Sequence, residues 1–302
     1  MFLRTFSKPI AALAVASACA ACGGPIEGDG PDASPAEPLA GTADRLHANA
    51  SEAGAIDAIA NAEPDPEPAE APAPPAACPA NMVEIEGDFC PAVIQECLKW
   101  LDEDHTNKRG NVDPNMCAQF RRKSRCVSPT KPMHYCIDRY EWPNRAGEVP
   151  ATGMSWHEAK VSCESIGKRL CTEDEWTFAC EGPTMKPYPY GDGYRRDETA
   201  CNTDVPSRDW QNTPFDELDS RTPSGSRERC KSDFGVHDMV GNVDEWVRNT
   251  QGHARRQPWM SGLMGGHYVH GVRNRCRALT DWHEPTFYFY VTGARCCARA
   301  QE

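Results

Sequence analysis

Asp238 and Glu245 flank the turn Gly241-Asn242-Val243-Asp244, and their spacing suits a hard cation. Calcium takes about six to eight oxygens, drawn from carboxylates, amide oxygens and backbone carbonyls. Each acid can offer a carboxylate, and a turn at Gly241 can aim its own carbonyl and that of Val243 inward. A tight turn with solvated carboxylates accounts for the same residues and stays open as the alternative. Downstream, Gly265-Gly266-His267-Tyr268-Val269-His270 leads to Cys276. Two imidazoles and a thiol are metal-ligand types, but residues i and i+3 of a strand point to opposite faces. His267 and His270 are therefore candidate binding residues, exposed or hydrogen-bonded, not a metal pair. Trp282-His283-Glu284 has no serine or cysteine nucleophile at a recognisable spacing, so hydrolase chemistry has no support. The run Phe287-Tyr288-Phe289-Tyr290 is aromatic on both faces; core packing is expected, and a ligand groove wall is the alternative.

These residues need elements to hold them. Ser155-Trp156-His157-Glu158 is a capping box, in which the Ser hydroxyl accepts from the Glu158 backbone N–H and the Glu carboxylate reaches back. Trp156, Ala159, Cys163 and Ile166 then share one helical face, and Gly167 supplies a left-handed stop. Thr172-Glu173-Asp174-Glu175 opens a second helix with Trp176, Ala179 and Cys180 on one face, ended by Gly182-Pro183. Met82 to Glu86 and His267 to His270 read as short strands. Gly, Pro, Asn and Asp punctuate the rest, so regular structure should be sparse.

The chain start sets the compartment. Arg4 and Lys8 precede an apolar run, Ile10 to Ala18, and small residues follow, as in an export signal over residues 1–22. The run is too short to span a bilayer. It ends in Ala-Cys-Ala-Ala-Cys-Gly-Gly, which resembles a lipoprotein cleavage box. Cys22 is favoured over Cys19 for the lipid, because cleavage there leaves an even fourteen of the sixteen cysteines beyond the anchor. A plain secretory signal cut near Ala21 is the alternative. Residues 23–77 are dominated by Ala, Pro, Glu and Asp, and cannot bury enough apolar surface to offset their ordering entropy. Eleven carboxylates against Arg45 give this stretch −10 of the formal −12, so the acidity belongs mostly to a solvated tether. The tether and Gly23 favour an outer-membrane location, on the periplasmic side or the surface.

One domain is expected from Cys78 to Glu302, with Cys78 to Cys136 as a cysteine-rich elaboration. No stretch of it reaches transmembrane length. No basic stripe with interleaved aromatics points to nucleic acid. The cysteines are irregularly spaced, without recurring tight pairs, which favours disulfides in an oxidising compartment over zinc ribbons.

Four blocks carry a resemblance: Gly167-Lys168-Arg169-Leu170 running on to Trp176, Gly241 to Val247, Gly265-Gly266, and Gly293-Ala294-Arg295-Cys296. In order and spacing they resemble the formylglycine-generating enzyme, or sulfatase-modifying factor, family across roughly residues 79–299. The resemblance implies an α+β, irregular C-type-lectin-like fold with little regular structure and many disulfides. It implies calcium as cofactor, with Asp238, Glu245 and the Gly241 and Val243 carbonyls as ligands, although the family shows an aromatic residue where Asp244 stands. A second calcium site would use Asn202, the Thr203 carbonyl and Asp216. It also implies the disulfides Cys163–Cys296 and Cys180–Cys276. Cys171 stands where the family commonly has proline, and no partner for it is implied. Cys297 is expected to bridge an unassigned cysteine, with a free thiol as the alternative.

The family holds copper with two cysteines and oxidises a substrate cysteine. Here His270 falls where the first thiolate belongs, and the second falls in a shortening of about four residues before Cys276. Copper is therefore not expected. The leading expectation is a lipid-anchored, calcium-stabilised domain that binds a peptide, exported protein or glycan without oxidising it. The alternatives are an oxidase making formylglycine in an exported sulfatase, and a structural envelope lipoprotein.

Overall fold

In the computed structural model, which describes residues 76–101, 112–250, 260–269 and 273–301, the regular elements are short and widely spaced. The chain runs through β1 (Met82–Phe89), β2 (Val93–Ile94), β3 (Cys97–Trp100), β4 (Cys117–Phe120), β5 (Arg125–Cys126) and β6 (Lys131–Asp138) to α1 (Trp156–Glu164). There follow β7 (Arg169–Leu170), α2 (Glu173–Glu181), the short α3 (Phe215–Leu218) and β8 (Asp244–Arg248). The chain finishes with β9 (Ser261–Met264), β10 (Leu279–Thr280), β11 (Thr292–Ala294) and β12 (Cys296–Arg299). The fold is α+β, as the sequence implies. Among the described residues no helix is long and apolar enough to cross a membrane. The signal at 1–22, Cys22 and nearly all of the 23–77 stretch lie outside the described residues, as does His270.

β1 alternates as a half-buried strand must: Val83, Ile85 and Phe89 face the core, and Glu84, Glu86 and Asp88 face out. It pairs antiparallel with β6 from Met82↔Asp138 to Phe89↔Lys131. β12 lies antiparallel to both β6 and β7, giving a sheet in the order β1-β6-β12-β7. The second sheet, β10-β9-β8-β11, contains a parallel pair, β8 with β11.

Both capping boxes form. The Ser155 hydroxyl accepts from Glu158 N, the Thr172 hydroxyl accepts from Glu175 N, and each Glu carboxylate reaches back to its cap. α1 buries Ala159 and Cys163 but leaves Trp156 half-buried, with its Nε1 donating to the Val247 carbonyl at 3.0 Å. Ile166 departs from the expected stripe. It is 50% exposed, because α1 stops at Glu164 and Ile166 falls in the turn before Gly167, whose φ is +74°. α2 is buried along nearly its whole length.

The expected strand from His267 is not formed. Gly265 and Gly266, at φ +88° and +69°, turn the chain out of β9, and only a Val205–Val269 bridge remains. A Cβ at Gly265 would meet the Met239 carbonyl at 2.7 Å, so only glycine fits that close approach.

Seven disulfides replace long ladders. Cys78–Cys136, Cys90–Cys126 and Cys97–Cys117 staple the N-terminal part, and Cys201–Cys230 closes a loop after α2. Cys163–Cys296 ties α1 to β12, Cys180–Cys276 ties α2 to the segment after Gly266, and Cys171 pairs with Cys297. The last three span 133, 96 and 126 residues. The chain-entropy account gives loops of that length about 4–5 kcal/mol each before strain.

Candidate functional site

Three carboxylates and one guanidinium converge where β8 meets the closing strands. Glu245, on β8, accepts from Arg295 Nη2 at 2.8 Å and from Arg295 Nε at 3.0 Å. Trp176 Nε1, from α2, donates to the same carboxylate at 2.7 Å. The remaining Arg295 N–H groups donate to the Asp138 and His237 carbonyls. Asp238 sits at φ +57°, and its Oδ2 accepts from Gly225 N at 2.7 Å. The turn follows tightly: a Cβ at Gly241 would lie 2.2 Å from the Asn202 carbonyl oxygen, so glycine is required there.

The third acid, Glu141, was not marked by the sequence. It follows β6, and its Oε2 accepts from Asn242 Nδ2 at 2.8 Å. Its Oε1 is buried without a hydrogen-bond partner. Glu141, Asp238 and Glu245 are all buried, and Arg295 is the guanidinium buried against them. Burial first, then the Asp238 and Glu245 carboxylates, pushes Glu141 well above the usual carboxylate range. Burial pushes Asp238 up to about 6. A divalent cation beside these acids would favour their ionised forms. The three acids do not bring one ligand atom each within 4.8 Å of one another, which among the described residues only Glu84, Glu86 and His134 do. Asp238 and Glu141 Oε1 are the acid groups here not committed to Arg295. Glu245 is already engaged by Arg295 and Trp176, so its first task is the ion pair.

The other predicted oxygens are not brought together. Asn202 and Thr203 are buried, with Asn202 Nδ2 donating to the Ser220 carbonyl and to Asn242 Oδ1. Asp216 is exposed on α3, and among the described residues no hydrogen bond joins it to either.

The segment from Gly266 to Cys276 holds no free thiol among its described residues, since Cys276 is bonded to Cys180. His267 is half-buried, and its Nδ1 accepts from Val269 N at 3.2 Å. Burial lowers its pKa, so the ring is neutral at pH 7. Arg273 donates to Asp244 Oδ2 at 2.8 Å and to Thr280 Oγ1 at 2.7 Å. Asp244 is buried and its Oδ1 has no partner. An acid–guanidinium pair thus occupies the neighbourhood in which soft metal ligands were sought. Copper(I) selects soft thiolates, and the described residues of this segment offer no free one. The aromatic run is core only in part: Phe287 packs against the buried cluster beside Trp246 and Tyr290 lies against Tyr268, whereas Tyr288 is exposed.

The sulfatase-modifying factor enzyme 1-like domain family matches residues 116–300. An inactive C-alpha-formylglycine-generating enzyme 2 from Bos taurus is 31% identical over 134 residues, which are 37% of this chain and 39% of that protein. A formylglycine-generating enzyme from Mus musculus is 29% identical over 100 residues, or 32% of this chain and 26% of the relative. The chain therefore spans well under half of these curated relatives. Among solved structures, the crystal structure of CarF covers 74% of this chain and 99% of its own at 17% identity, with a TM-score of 0.47. With its matched region holding the Gly241 turn, the Glu245–Arg295 pair and the closing disulfide to α1, this chain belongs to the sulfatase-modifying factor enzyme 1-like domain family.

Proposed function

We propose that this chain is an exported, lipid-anchored member of the family whose domain binds a peptide, protein or glycan ligand without oxidising it. One observation carries the reading. All fourteen cysteines from Cys78 to Cys297 are in disulfides, Cys276 included. Among the described residues no thiolate pair is left to hold copper(I), which selects soft sulfur. The Arg273–Asp244 ion pair takes up part of the segment where those thiolates belong. The bovine relative's name, an inactive formylglycine-generating enzyme, supports the same reading. In this reading calcium bound by Asp238, Glu141 and the Gly241 turn is structural, and the 23–77 stretch spaces the domain from a membrane reached through lipid on Cys22.

The test is incubation of the purified, oxidised protein with a Cys-x-Pro-x-Arg peptide, copper and oxygen, followed by mass spectrometry. The peptide mass is expected to stay unchanged. A mass loss matching thiol-to-aldehyde conversion, abolished by Cys276→Ser, would overturn the reading in favour of the oxidase.

A further inference from the structure

Two surface segments outside the buried cluster meet through their rings. Trp210 lies edge-on to Phe289 at 5.3 Å between centroids, and Phe215 lies edge-on to Tyr290 at 6.4 Å. Along the second segment His283 is held between Trp282 and Phe287, each 3.7 Å away, and Phe289 touches Tyr290 at 4.4 Å. These rings do not bury one another. Trp282, Tyr288, Trp210 and Phe215 are 64%, 68%, 53% and 51% exposed. Contiguous exposed aromatics with a polar rim mark an interaction surface.

The rim is mainly acidic. Asp209, Asp216 and Glu217 come from the first segment, Asp281 and Glu284 from the second, and no ion pair to any of them occurs among the described residues. Among the described residues two cations adjoin the rim: Arg221 is paired with Asp219 at 2.6 Å, whereas Arg208, which donates to the Glu217 carbonyl at 2.7 Å, keeps its charge. Burial lowers the His283 pKa, so that ring adds no charge at pH 7. The face of an aromatic ring attracts ammonium and guanidinium groups, and carboxylates around it steer them in.

We infer that the surface from Trp210 and Phe215 to Trp282 and Tyr288 docks a cationic segment of a partner protein through its arginine or lysine side chains. This rests on the binding reading above and names its partner class; the partner needs no cysteine. A neutral saccharide would stack on the rings but leave the five carboxylates without counter-charge. An anionic partner would be repelled.

The probe is a labelled acetyl-Arg-Gly-Arg-Gly-Arg amide titrated into the full-length protein, with its citrulline counterpart as the uncharged control. The arginine peptide should bind, weaken as salt rises, and exceed the citrulline peptide. Trp210→Ala with Trp282→Ala should weaken it about tenfold, the size of two exposed cation–π contacts. Asp216→Asn with Glu217→Gln should weaken it too, whereas Glu84→Gln with Glu86→Gln, on the solvent face of β1, should leave it within about twofold. Equal loss in both charge variants, or equal binding of the citrulline peptide, overturns the inference. Binding of maltohexaose in place of the arginine peptide overturns it as well but spares the broader binding reading. Aldehyde formation in the copper assay sinks that reading alone.

Discussion

Arg295 and Glu245 form an ion pair with no access to solvent: the closest atoms are 2.8 Å apart, and the side chains are 0% and 1% exposed. Such a pair is neutral-to-costly to build but expensive to break, because the survivor is left charged in the interior. Arg295→Met should therefore destabilise the domain by about 3–5 kcal/mol. Adding Glu245→Gln should recover part of that loss. Urea unfolding of the parent and the two variants checks this, and a double variant worse than Arg295→Met would mean that Glu245 does more than balance the arginine.

The same cluster predicts a calcium response. A ligand that binds only the folded state adds RT ln(1 + [L]/Kd), about 2.7 kcal/mol at a hundredfold excess over Kd. Glu141→Gln removes the carboxylate whose Oε1 lacks a partner, without touching Arg295. Calcium should raise the melting temperature of the parent, EGTA should lower it, and Glu141→Gln should lose most of the difference. Glu245→Ala is a poorer probe, since it also strands the guanidinium. A parent melting curve indifferent to EGTA would mean that the acids are held by hydrogen bonds alone.

What the sequence revealed was local. Ser155 with Glu158 and Thr172 with Glu175 are reciprocal contacts three residues apart, so a capping box can be read from one window. The Asp238 to Glu245 turn is equally compact. Glu141 was hidden because its partners, Asn242 and Ser224, are remote in sequence. Cys171 gained a partner only when β12 was set against β7, a non-local pairing. Over its described residues the strand expected from His267 failed because two glycines at positive φ turn the chain out of β9. Of the aromatic run read as core, Phe287 packs against it and Tyr288 does not, since sequence carries no sign of which ring faces are covered.

Glu173 gives the domain a pH dependence of definite sign. Burial first, then the Asp174 and Asp281 carboxylates, raises it from 4.5 to about 7. The dipole of α2 opposes this, by about 0.3–1 kcal/mol. An acid whose folded pKa is raised binds its proton more tightly when folded, so its contribution declines as pH rises from about 4.5 through about 7. Glu173→Gln cannot lose that proton. Its melting temperature should match the parent's near pH 4 and exceed it near pH 8. A difference independent of pH would show that the glutamate is ionised throughout.

The anchor reading turns on Cys22. A diacylglyceryl group on Cys22 would supply two acyl chains, and two lipid signals give stable attachment where one binds only marginally, so a lipoprotein modified there should partition fully into the membrane fraction. Cys22→Ala removes the acceptor and leaves the fourteen cysteines of the seven disulfides intact. The variant should appear in the soluble fraction or accumulate with its signal uncleaved, while the domain, once released, melts as the parent does. Mass spectrometry of the N-terminal peptide separates the outcomes. Lipid on Cys19, or unchanged membrane association of Cys22→Ala with Cys19 unmodified, would remove Cys22 from that role.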